Sequence, residues 1–425
     1  MIALSAELPL RSSAVWDAYS AAQIIPHRYG ETGGALIAYN PARTQFVWAD
    51  HAVMAIDSVQ VAGQDVSNWV WRNTTDSGGH AVALVEFDQP MDAGAAITAR
   101  GRGKRHPSNG VLMDSPATVV WDVLSSIAGR AIAESEFAVF AAECAEAGLT
   151  VGGTLNQTGS VRSVALAICA DVGALFAPDM PGWARLWPGA STPFARELIN
   201  YRHPLSARCE LSGLLNDITL RYAIEDAQPR ATVRLDAPAS VERFGRRSLE
   251  RDAPWIASGR VAVAVATRLL QQWARPVWAV SITQIERHIE VGDAVAISHG
   301  VLPVSGSHRA LSREFDISAD NSAITCSVPV GDAPSVRLLQ QSSLSAPEQY
   351  AGVAINSSGD RRVITVTDAT GRPAAGAAVT LDGEITRTAD ASGRVEFPAS
   401  VMRPGVHVLT VQTVDGTVME IEVVV

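Results

Sequence analysis

The chain has 425 residues, which is enough for about three domains at roughly 150 residues each. Its hydrophobic (47%) and charged (18%) fractions are typical of a globular protein and exclude a disordered chain. The net charge of -10 argues against a general attraction to nucleic acid or anionic lipid. No apolar run approaches the ~20 residues of a membrane helix, and the N-terminus lacks the basic flank of a secretion signal.

Residues 1–110 consist largely of short apolar runs separated by turn-forming residues. Gly33-Gly34, Asn40-Pro41 and Gln89-Pro90 mark three of the turns. Runs of this length between glycine and proline residues predict β-strands that form a small barrel or sandwich. The predicted strands cover residues 35–39, 46–48, 53–61, 81–87 and 95–99.

Residues 111–200 change to a helical pattern. Ser115 followed by Pro116 predicts a helix start, because proline is favoured at the first helical position. Apolar residues then recur at helical spacing, and Gly129 is typical of a C-cap. The segment is therefore expected to be a small α+β domain. Its predicted helices cover 115–129, 135–148 and a stretch from 160, and its predicted strands cover 149–154 and 183–187.

Residues 201–345 return to strand patterns and contain one helix, predicted over 257–273 and ended by Pro276. This segment predicts a second β-barrel domain. A stretch rich in Ser, Gly, Gln and Asn then predicts a linker at 346–360. The strands of the second barrel are expected at 218–222, 232–235, 277–282, 294–297 and 323–328.

Residues 361–425 alternate between apolar and polar side chains. The dipeptides Asp382-Gly383, Ser392-Gly393, Pro404-Gly405 and Asp415-Gly416 have hairpin-turn chemistry. The segment predicts a β-sandwich of immunoglobulin-like character. The whole chain is therefore expected to be mainly β with an α+β insert, divided at 1–110, 111–200, 201–345, 346–360 and 361–425.

The strongest phosphate-loop candidate is Gly101-Arg-Gly-Lys104. A phosphate loop needs the pattern G-x-x-x-x-G-K-[ST] between a strand and a helix. Here Arg105 and then His106-Pro107 follow the lysine, so the segment is expected to be a solvated basic turn.

Candidate catalytic groups are also explained by ordinary structural roles. Asp50 and His51 are adjacent, and adjacent residues on a strand point to opposite faces, so they cannot readily share one site. Glu134 and Glu136 are expected to be solvated carboxylates at a helix start. No G-x-S-x-G motif occurs, and the histidines lack zinc-site spacing. The four cysteines form no CxxC pair and are expected to be buried free thiols: Cys144, Cys169, Cys209 and Cys326. The sequence therefore predicts neither an enzyme nor a metal or cofactor site.

A string of short motifs follows one order between residues 20 and 330. It comprises Pro26-His-Arg-Tyr-Gly30, Trp48-Ala-Asp-His51, the segment 122–187, Leu215-Asn-Asp-Ile-Thr-Leu-Arg-Tyr222, Ser240-Val-Glu-Arg-Phe-Gly245, Arg275-Pro276 and Val291-Gly-Asp-Ala-Val295. In this order the motifs resemble the central hub proteins of bacteriophage tail tips and baseplates, of the long-tailed siphophage type. Each fragment is short, and the order carries most of the resemblance.

The resemblance implies two hub β-barrel domains with a helix–strand–helix insert. It also implies a homotrimer, in which six similar lobes match a sixfold tail tube. Such a hub ends the tube, joins it to distal tail, baseplate or central fibre proteins, and forms part of the DNA channel. It belongs to a virion assembled in the host cytoplasm and contacts the host envelope at most indirectly. The family has no catalytic residues to carry over, and no specific nucleic-acid binding is expected.

The C-terminal segment has a resemblance of its own. Thr367-Asp-Ala-Thr-Gly-Arg-Pro373 and Thr388-Ala-Asp-Ala-Ser-Gly393 are similar to transthyretin-like sandwiches of the carboxypeptidase-regulatory type, which are noncatalytic spacers or adhesion modules. The alternative function is therefore a host-surface carbohydrate adhesin. Phe397 is the only aromatic residue in 361–425, which weakens that alternative.

Two basic clusters are candidates for binding. Contacts with DNA phosphates would bind passing DNA tightly and slow its transit. The planar guanidinium of arginine instead suits ion pairs with carboxylates at protein interfaces. The chain has 44 acidic residues as possible partners. Subunit or tail-protein contacts are therefore favoured over DNA contacts. The clusters are Arg100, Arg102, Lys104 and Arg105, and the predicted interface residues Arg243, Arg246, Arg247 and Arg251.

Overall fold

The computed structural model shows a mainly β protein with few helices. The chain divides into two compact units. Unit 1 comprises Met1–Trp187, Ala223–Pro229 and Ala253–Ser258; unit 2 comprises Pro188–Tyr222, Arg230–Asp252 and Gly259–Val425. No helix among the described residues is long and apolar enough to cross a membrane. The structure describes residues 4–13, 23–176, 183–186, 196–199, 202–211, 213–225, 228–285, 289, 291, 293–302, 304–316, 321–329, 333–341, 352–358, 361–367, 375–382, 384–398, 400–401, 406–412 and 418–424.

Two four-stranded sheets form the β-rich part of unit 1. Their orders are β3-β4-β8-β7 and β2-β9-β5-β6. Phe46, Trp48, Ile56 and Val85 lie in the apolar core associated with these strands. The strands of unit 1 are β1 (His27–Tyr29), β2 (Glu31–Ala35), β3 (Ile37–Ala38), β4 (Gln45–Ala49), β5 (Val53–Val61), β6 (Gln64–Asp65), β7 (Trp69–Thr75), β8 (Ala81–Phe87), β9 (Ile97–Lys104), β10 (Gly153–Leu155), β11 (Ala174–Phe176) and β12 (Ala184–Leu186).

Three helices in unit 1 confirm the predicted helical pattern. Pro116 lies at the first turn of the first helix, and the Ser160 side chain accepts the Ser163 backbone N–H (3.0 Å) at the start of the third. β1 pairs with β10, so segments predicted as separate domains share unit 1. The helices are α1 (Pro116–Asp122), which continues as a π-helical turn (Val123–Ile127), α2 (Ala138–Glu146), preceded by a 3-10 turn (Glu134–Phe137), and α3 (Val161–Asp171).

Two predictions for unit 1 are corrected. Residues 101–104 are not a basic turn but the second half of β9. A side-chain Cβ at Gly101 would lie 2.3 Å from the Ala55 carbonyl oxygen, and one at Gly103 would lie 2.3 Å from that of Arg28. The glycines therefore permit close backbone packing. Strand β7 was not predicted, because Arg72, Asn73 and two threonines interrupt its apolar pattern.

Unit 2 contains a six-stranded and a four-stranded sheet besides its C-terminal strands. Their orders are β13-β19-β20-β21-β18-β14 and β17-β15-β16-β22. Helix α5 (Gly259–Trp273) buries the predicted stripe of Val261, Val265 and Leu270. The other elements are β13 (Arg196–Ile199), β14 (Leu205–Glu210), β15 (Asp217–Glu225), β16 (Gln228–Asp236), α4 (Pro238–Phe244), β17 (Ser248–Ala253), β18 (Val277–Ile285), β19 (Ala294–Ser298), β20 (Gly306–Asp316), β21 (Asn321–Pro329) and β22 (Arg337–Gln341).

The C-terminal strands form two sheets, β23-β24-β27 and β26-β25-β28-β29. Phe397, Ile364, Leu381 and Leu409 lie in one apolar core. The strands are β23 (Gly352–Ser358), β24 (Arg361–Thr367), β25 (Ala378–Leu381), β26 (Ile385–Thr388), β27 (Arg394–Pro398), β28 (Val406–Gln412) and β29 (Val418–Val424).

The predicted linker 346–360 is corrected over residues 352–358. These residues form β23, and each of its seven residues pairs with a residue of β24. The prediction of a linker rested on polar composition, and it was wrong because backbone hydrogen bonding to a neighbouring strand does not require apolar residues at every position. The remaining residues of the predicted linker, 346–351 and 359–360, lie outside the described residues.

The pairing of β23 leads to a prediction about the C-terminal sandwich. A fragment covering 352–425 is expected to fold with a cooperative melt, since it keeps all seven strands. A fragment covering 361–425 loses β23 and leaves β24 as an edge strand that pairs only with β27. We expect its Tm to be lower by about 10 °C or more, equivalent to a loss of about 2 kcal/mol. Circular dichroism melts of both fragments test this, and equal Tm values would contradict it.

The cysteines lie in two different environments. Cys144, Cys169 and Cys326 are buried free thiols, whereas Cys209 is exposed. The expectation of burial is therefore wrong for Cys209, which lies on β14, an edge strand of the six-stranded sheet. Burial raises the pKa of Cys326 to about 12, so this thiol stays protonated at neutral pH.

Candidate subunit interface

The segment that carries the predicted interface arginines is anchored by one buried asparagine, Asn216. Its side-chain amide donates to the Gly245 carbonyl (2.8 Å), and its Oδ1 accepts the backbone N–H of Arg247 (2.7 Å). Gly245 ends α4 with φ of 72°, a backbone conformation that favours glycine. Asn216 therefore fixes the chain from the end of α4 to the start of β17.

Two buried aspartates beside this segment bind three arginines. The side chains of Asp217 and Asp236 are each 1% exposed. Arg234 donates to Asp217 through Nε (3.0 Å) and Nη2 (2.7 Å). Arg337 donates to Asp236 in the same two-pronged way, at 3.0 and 2.8 Å. Arg246 bonds to Asp217, and its Nη2 lies 3.7 Å from Asp236.

The charge state of this network is stable at neutral pH. Burial acts to raise the pKa of Asp217, but hydrogen bonds from Arg234, Arg246 and Ser248 outweigh it and lower the pKa to about 2. The hydrogen bond to Asp236 raises the pKa of Arg337. Three arginine charges thus face two carboxylate charges. The arginine side chains remain 38–43% exposed, so the network presents a basic surface.

The structure places the four predicted interface residues in different settings. Arg246 belongs to the network, and Arg247 donates to the Leu211 carbonyl (2.9 Å). Arg243 is exposed at the end of α4, with its guanidinium 5.0 Å from the Phe244 ring centroid. Arg251 lies partly buried on β17. Arg246 and Arg247 meet around Asn216 and Asp217, and the interface role of all four remains a prediction.

The other basic cluster lies on and just after β9 in unit 1, and each of its four residues has a partner elsewhere in that unit. Arg100 pairs with Glu225 (2.6 Å) and Lys104 with the buried Asp122 (2.6 Å). Arg102 lies 3.4 Å from Asp57. Arg105 donates to the Met54 carbonyl (3.3 Å). These carboxylates offset much of the positive charge that DNA binding would need.

The possible catalytic groups do not form a catalytic arrangement. Asp50 pairs with Arg11, while His51 accepts the Arg28 backbone N–H, so the adjacent Asp50 and His51 serve different neighbours. The His106 ring contacts Glu134 (3.0 Å) and accepts both the hydroxyl (2.9 Å) and the backbone N–H (3.2 Å) of Ser108. Because the ring already accepts this backbone N–H, it caps the turn. Within the described ranges, no group of three or more His, Cys, Asp or Glu side chains could hold a metal ion.

Sequence reasoning missed the acceptors and two of the arginines in this site. Arg234, Arg337 and Asp236 belong to no motif, and Asp217 was noted only as part of the stretch Leu215–Tyr222, without a role as an acceptor. The available signal was an aspartate at the end of an apolar strand, as in Asp236 after Val233 and Leu235. Such a position does not reveal whether the carboxylate is buried.

No family model and no curated protein matches the chain. Among solved structures, it is similar to a chain of the virion of a native gene transfer agent particle, with 12% identity and a TM-score of 0.48 over 74% of this chain and 88% of that one. It is similar to a prophage tail protein from Listeria monocytogenes EGD-e, with 15% identity and a TM-score of 0.29 over 71% and 87%. It is also similar to a 43 kDa tail protein of prophage MuSo2 from Shewanella oneidensis, with 11% identity and a TM-score of 0.30 over 73% and 99%. Identities and TM-scores this low assign the chain no function.

Proposed function

We propose that the chain is a structural, noncatalytic component of a phage tail tip or baseplate. It would act as a homotrimeric hub that ends the tail tube, joins it to baseplate or fibre proteins and forms part of the DNA channel. The observation that carries the proposal is the order of elements: strands β2–β9, helices α1–α3, strands β13–β22 with α5, and a terminal sandwich. Up to residue 330, this is the order of the sequence motifs that resemble hub proteins, and the terminal sandwich follows them.

The basic surface around α4 is the proposed contact between subunits or with a tail protein. The chain as a whole carries a net charge of -10, whereas this surface has three arginines on two aspartates, with Arg243 and Arg247 beside them. A basic patch on an acidic protein favours the carboxylates of a second copy as partners. Arginine suits such contacts because its planar fork binds carboxylates at two points.

Carbohydrate binding by the terminal sandwich is the weaker candidate. Sugar-binding surfaces of that kind would need an exposed aromatic ring, and Phe397 is the only aromatic residue of 361–425. Its side chain is fully buried in the sandwich core. The sandwich is therefore proposed as a spacer.

Light scattering on the purified chain tests the trimer and its interface together. The wild type is expected at three times the 44.9 kDa chain mass. The double variant Arg243→Glu/Arg247→Glu is expected to dissociate, because it reverses charge on the surface and leaves Arg246 in place to hold Asp217. Arg162→Glu, at an exposed position of α3, is the matched control and should remain trimeric.

Two results would contradict these proposals separately. A stable dimer or monomer of the wild type, in solution and in particles, would contradict the trimeric hub. A trimer unaffected by the double variant would contradict only the interface assignment. DNA affinity is expected to be negligible in the wild type and in both variants.

A further inference from the structure

Strand β1 is surrounded by buried and half-buried charged and titratable side chains of unit 1. His27, Arg28 and Tyr29 form the strand itself. The ionisable groups around it come from the N-terminal segment, the end of β4, the loop after β7, β9 and α1: Arg11, Asp50, His51, Asp76, Lys104 and Asp122.

Arg28 holds several strands of unit 1 together, and we name its contacts the Arg28 clamp. Its side chain is buried and donates to the carbonyls of Trp48 (2.7 Å), Gly33 (2.5 Å) and Ala35 (3.0 Å). It also donates to the Thr154 hydroxyl (3.0 Å). The clamp therefore joins β1 to β2, β4 and β10.

The full charges around β1 already have partners. Arg11 binds Asp50 and, at 2.7 Å, Asp76. Lys104 binds Asp122 at 2.6 Å, and Asp122 also accepts the Tyr29 hydroxyl at 2.6 Å. A further positive charge would find these carboxylates engaged, in surroundings where an uncompensated charge is costly.

The hydrogen bonds of His51 require its ring to be neutral. Its Nε2 accepts the backbone N–H of Arg28 at 2.9 Å, and its Nδ1 lies 3.0 Å from the Ala52 carbonyl oxygen, to which it must donate. A second proton would have to sit on Nε2, facing the Arg28 N–H donor. Protonation of His51 therefore breaks the bond that holds the backbone of Arg28.

His27 is poorly placed to carry a proton as well. Its Nδ1 is buried and has no hydrogen-bond partner among the described residues. Its Nε2 lies 3.7 Å from an oxygen of Asp50, a carboxylate that Arg11 already binds. The rings of His27 and His51 are 5.5 Å apart, so the two protonated rings would also repel each other.

We propose that His51 and His27 form an acid-sensitive lock on the Arg28 clamp, so that their protonation releases β1 and opens unit 1 locally around this strand. This inference does not depend on the proposed tail function. The electrostatics support it: burial, with Lys104 second, lowers the pKa of His27 to about 4, and burial lowers the pKa of His51 well below its ordinary value.

The direction of the pH effect follows from these shifts. Both histidines take up protons near pH 6.5 once the structure opens, but only at lower pH while it is closed. The closed state is therefore most stable above pH 6.5 and loses stability as the pH falls toward 4. Well below pH 6.5, each histidine that gains a proton on opening raises the opening constant about tenfold per pH unit. From pH 6 to pH 5, close to the pKa of the open state, the rise is about eightfold for one histidine and about 60-fold for both.

Hydrogen exchange followed by mass spectrometry on the full chain measures this slope. After correction for intrinsic exchange rates, amides of β1, β2 and β10 are expected to show an opening constant that rises about 60-fold from pH 6 to pH 5. His51→Gln keeps an acceptor for the Arg28 N–H but cannot titrate, and should lower this rise to about eightfold. His80→Gln, at an exposed histidine of unit 1, is the control and should keep the wild-type slope.

Each outcome decides the proposal. An opening constant that does not change with pH in the wild type would overturn it, and so would a wild-type slope in His51→Gln. If His51→Gln does not fold at pH 7.5, His27→Gln replaces it: a rise of about eightfold from pH 6 to pH 5 supports the proposal, and the wild-type rise contradicts it. Amides of α5 in unit 2 should show no such rise, since a rise there would indicate general acid unfolding instead.

Discussion

Replacing Arg28 with methionine is expected to destabilise unit 1 by about 2–4 kcal/mol. Methionine keeps the unbranched stem of arginine but donates no hydrogen bond. The buried carbonyls of Gly33 and Trp48 would each lose a donor, whereas the exposed Ala35 has access to water. An unsatisfied buried acceptor costs about 1–3 kcal/mol, and two of them outweigh the gain from removing one buried charge.

Urea unfolding of the full chain, resolved by hydrogen exchange in peptides of unit 1, measures this loss. Arg105→Met is the matched control, because Arg105 is exposed and makes one long bond to the Met54 carbonyl (3.3 Å). It is expected to change stability by no more than about 0.5 kcal/mol. A similar small loss for Arg28→Met would mean that water replaces the guanidinium as donor, and that the clamp contributes little.

Local sequence signals were sufficient to predict a helix or strand where its formation depends on residues close to it in the sequence. The helix predicted over 257–273 is α5 (Gly259–Trp273), because its apolar stripe and the following Pro276 are both local features. The strand predicted over 53–61 is β5 with the same bounds. Strand β7 was missed because its polar residues remove the apolar signal, although pairing with β8 satisfies its backbone.

The partners of charged residues could not be predicted in the same way. Arg337 binds Asp236 across 101 positions of sequence, and Arg100 binds Glu225 across 125. Such pairs depend on the register of strands that meet only in the folded unit. The basic clusters were therefore visible as composition, whereas the buried carboxylates that organise them were not. The same reasoning applies to His51, whose partner is a backbone amide 23 positions away.

Replacing Asp217 with asparagine is expected to lower the unfolding free energy of unit 2 by about 2–3 kcal/mol at pH 7. The amide that replaces one carboxylate oxygen would face the donors of Arg234 and Arg246. The two arginine side chains are 39% and 43% exposed and can regain water, which keeps the loss below that of a fully buried pair. Urea unfolding of the full chain, followed by hydrogen exchange in peptides of β15 and β16, measures this loss of unfolding free energy.

The pH dependence separates this ionic contribution from a packing defect. Arg234, Arg246 and Ser248 hold the pKa of Asp217 at about 2 against the desolvation of burial, below the ordinary value of 3.8. The unfolded chain therefore takes up the proton first, and the stabilisation is complete above pH 4 and lost as the pH falls toward 2. The difference between wild type and Asp217→Asn should shrink over that range. Asp252→Asn, which removes an exposed partner of Arg221, should cost no more than about 0.5 kcal/mol at any pH. A loss in Asp217→Asn that stays constant from pH 7 to pH 2 would show that shape, and not charge, makes this aspartate necessary.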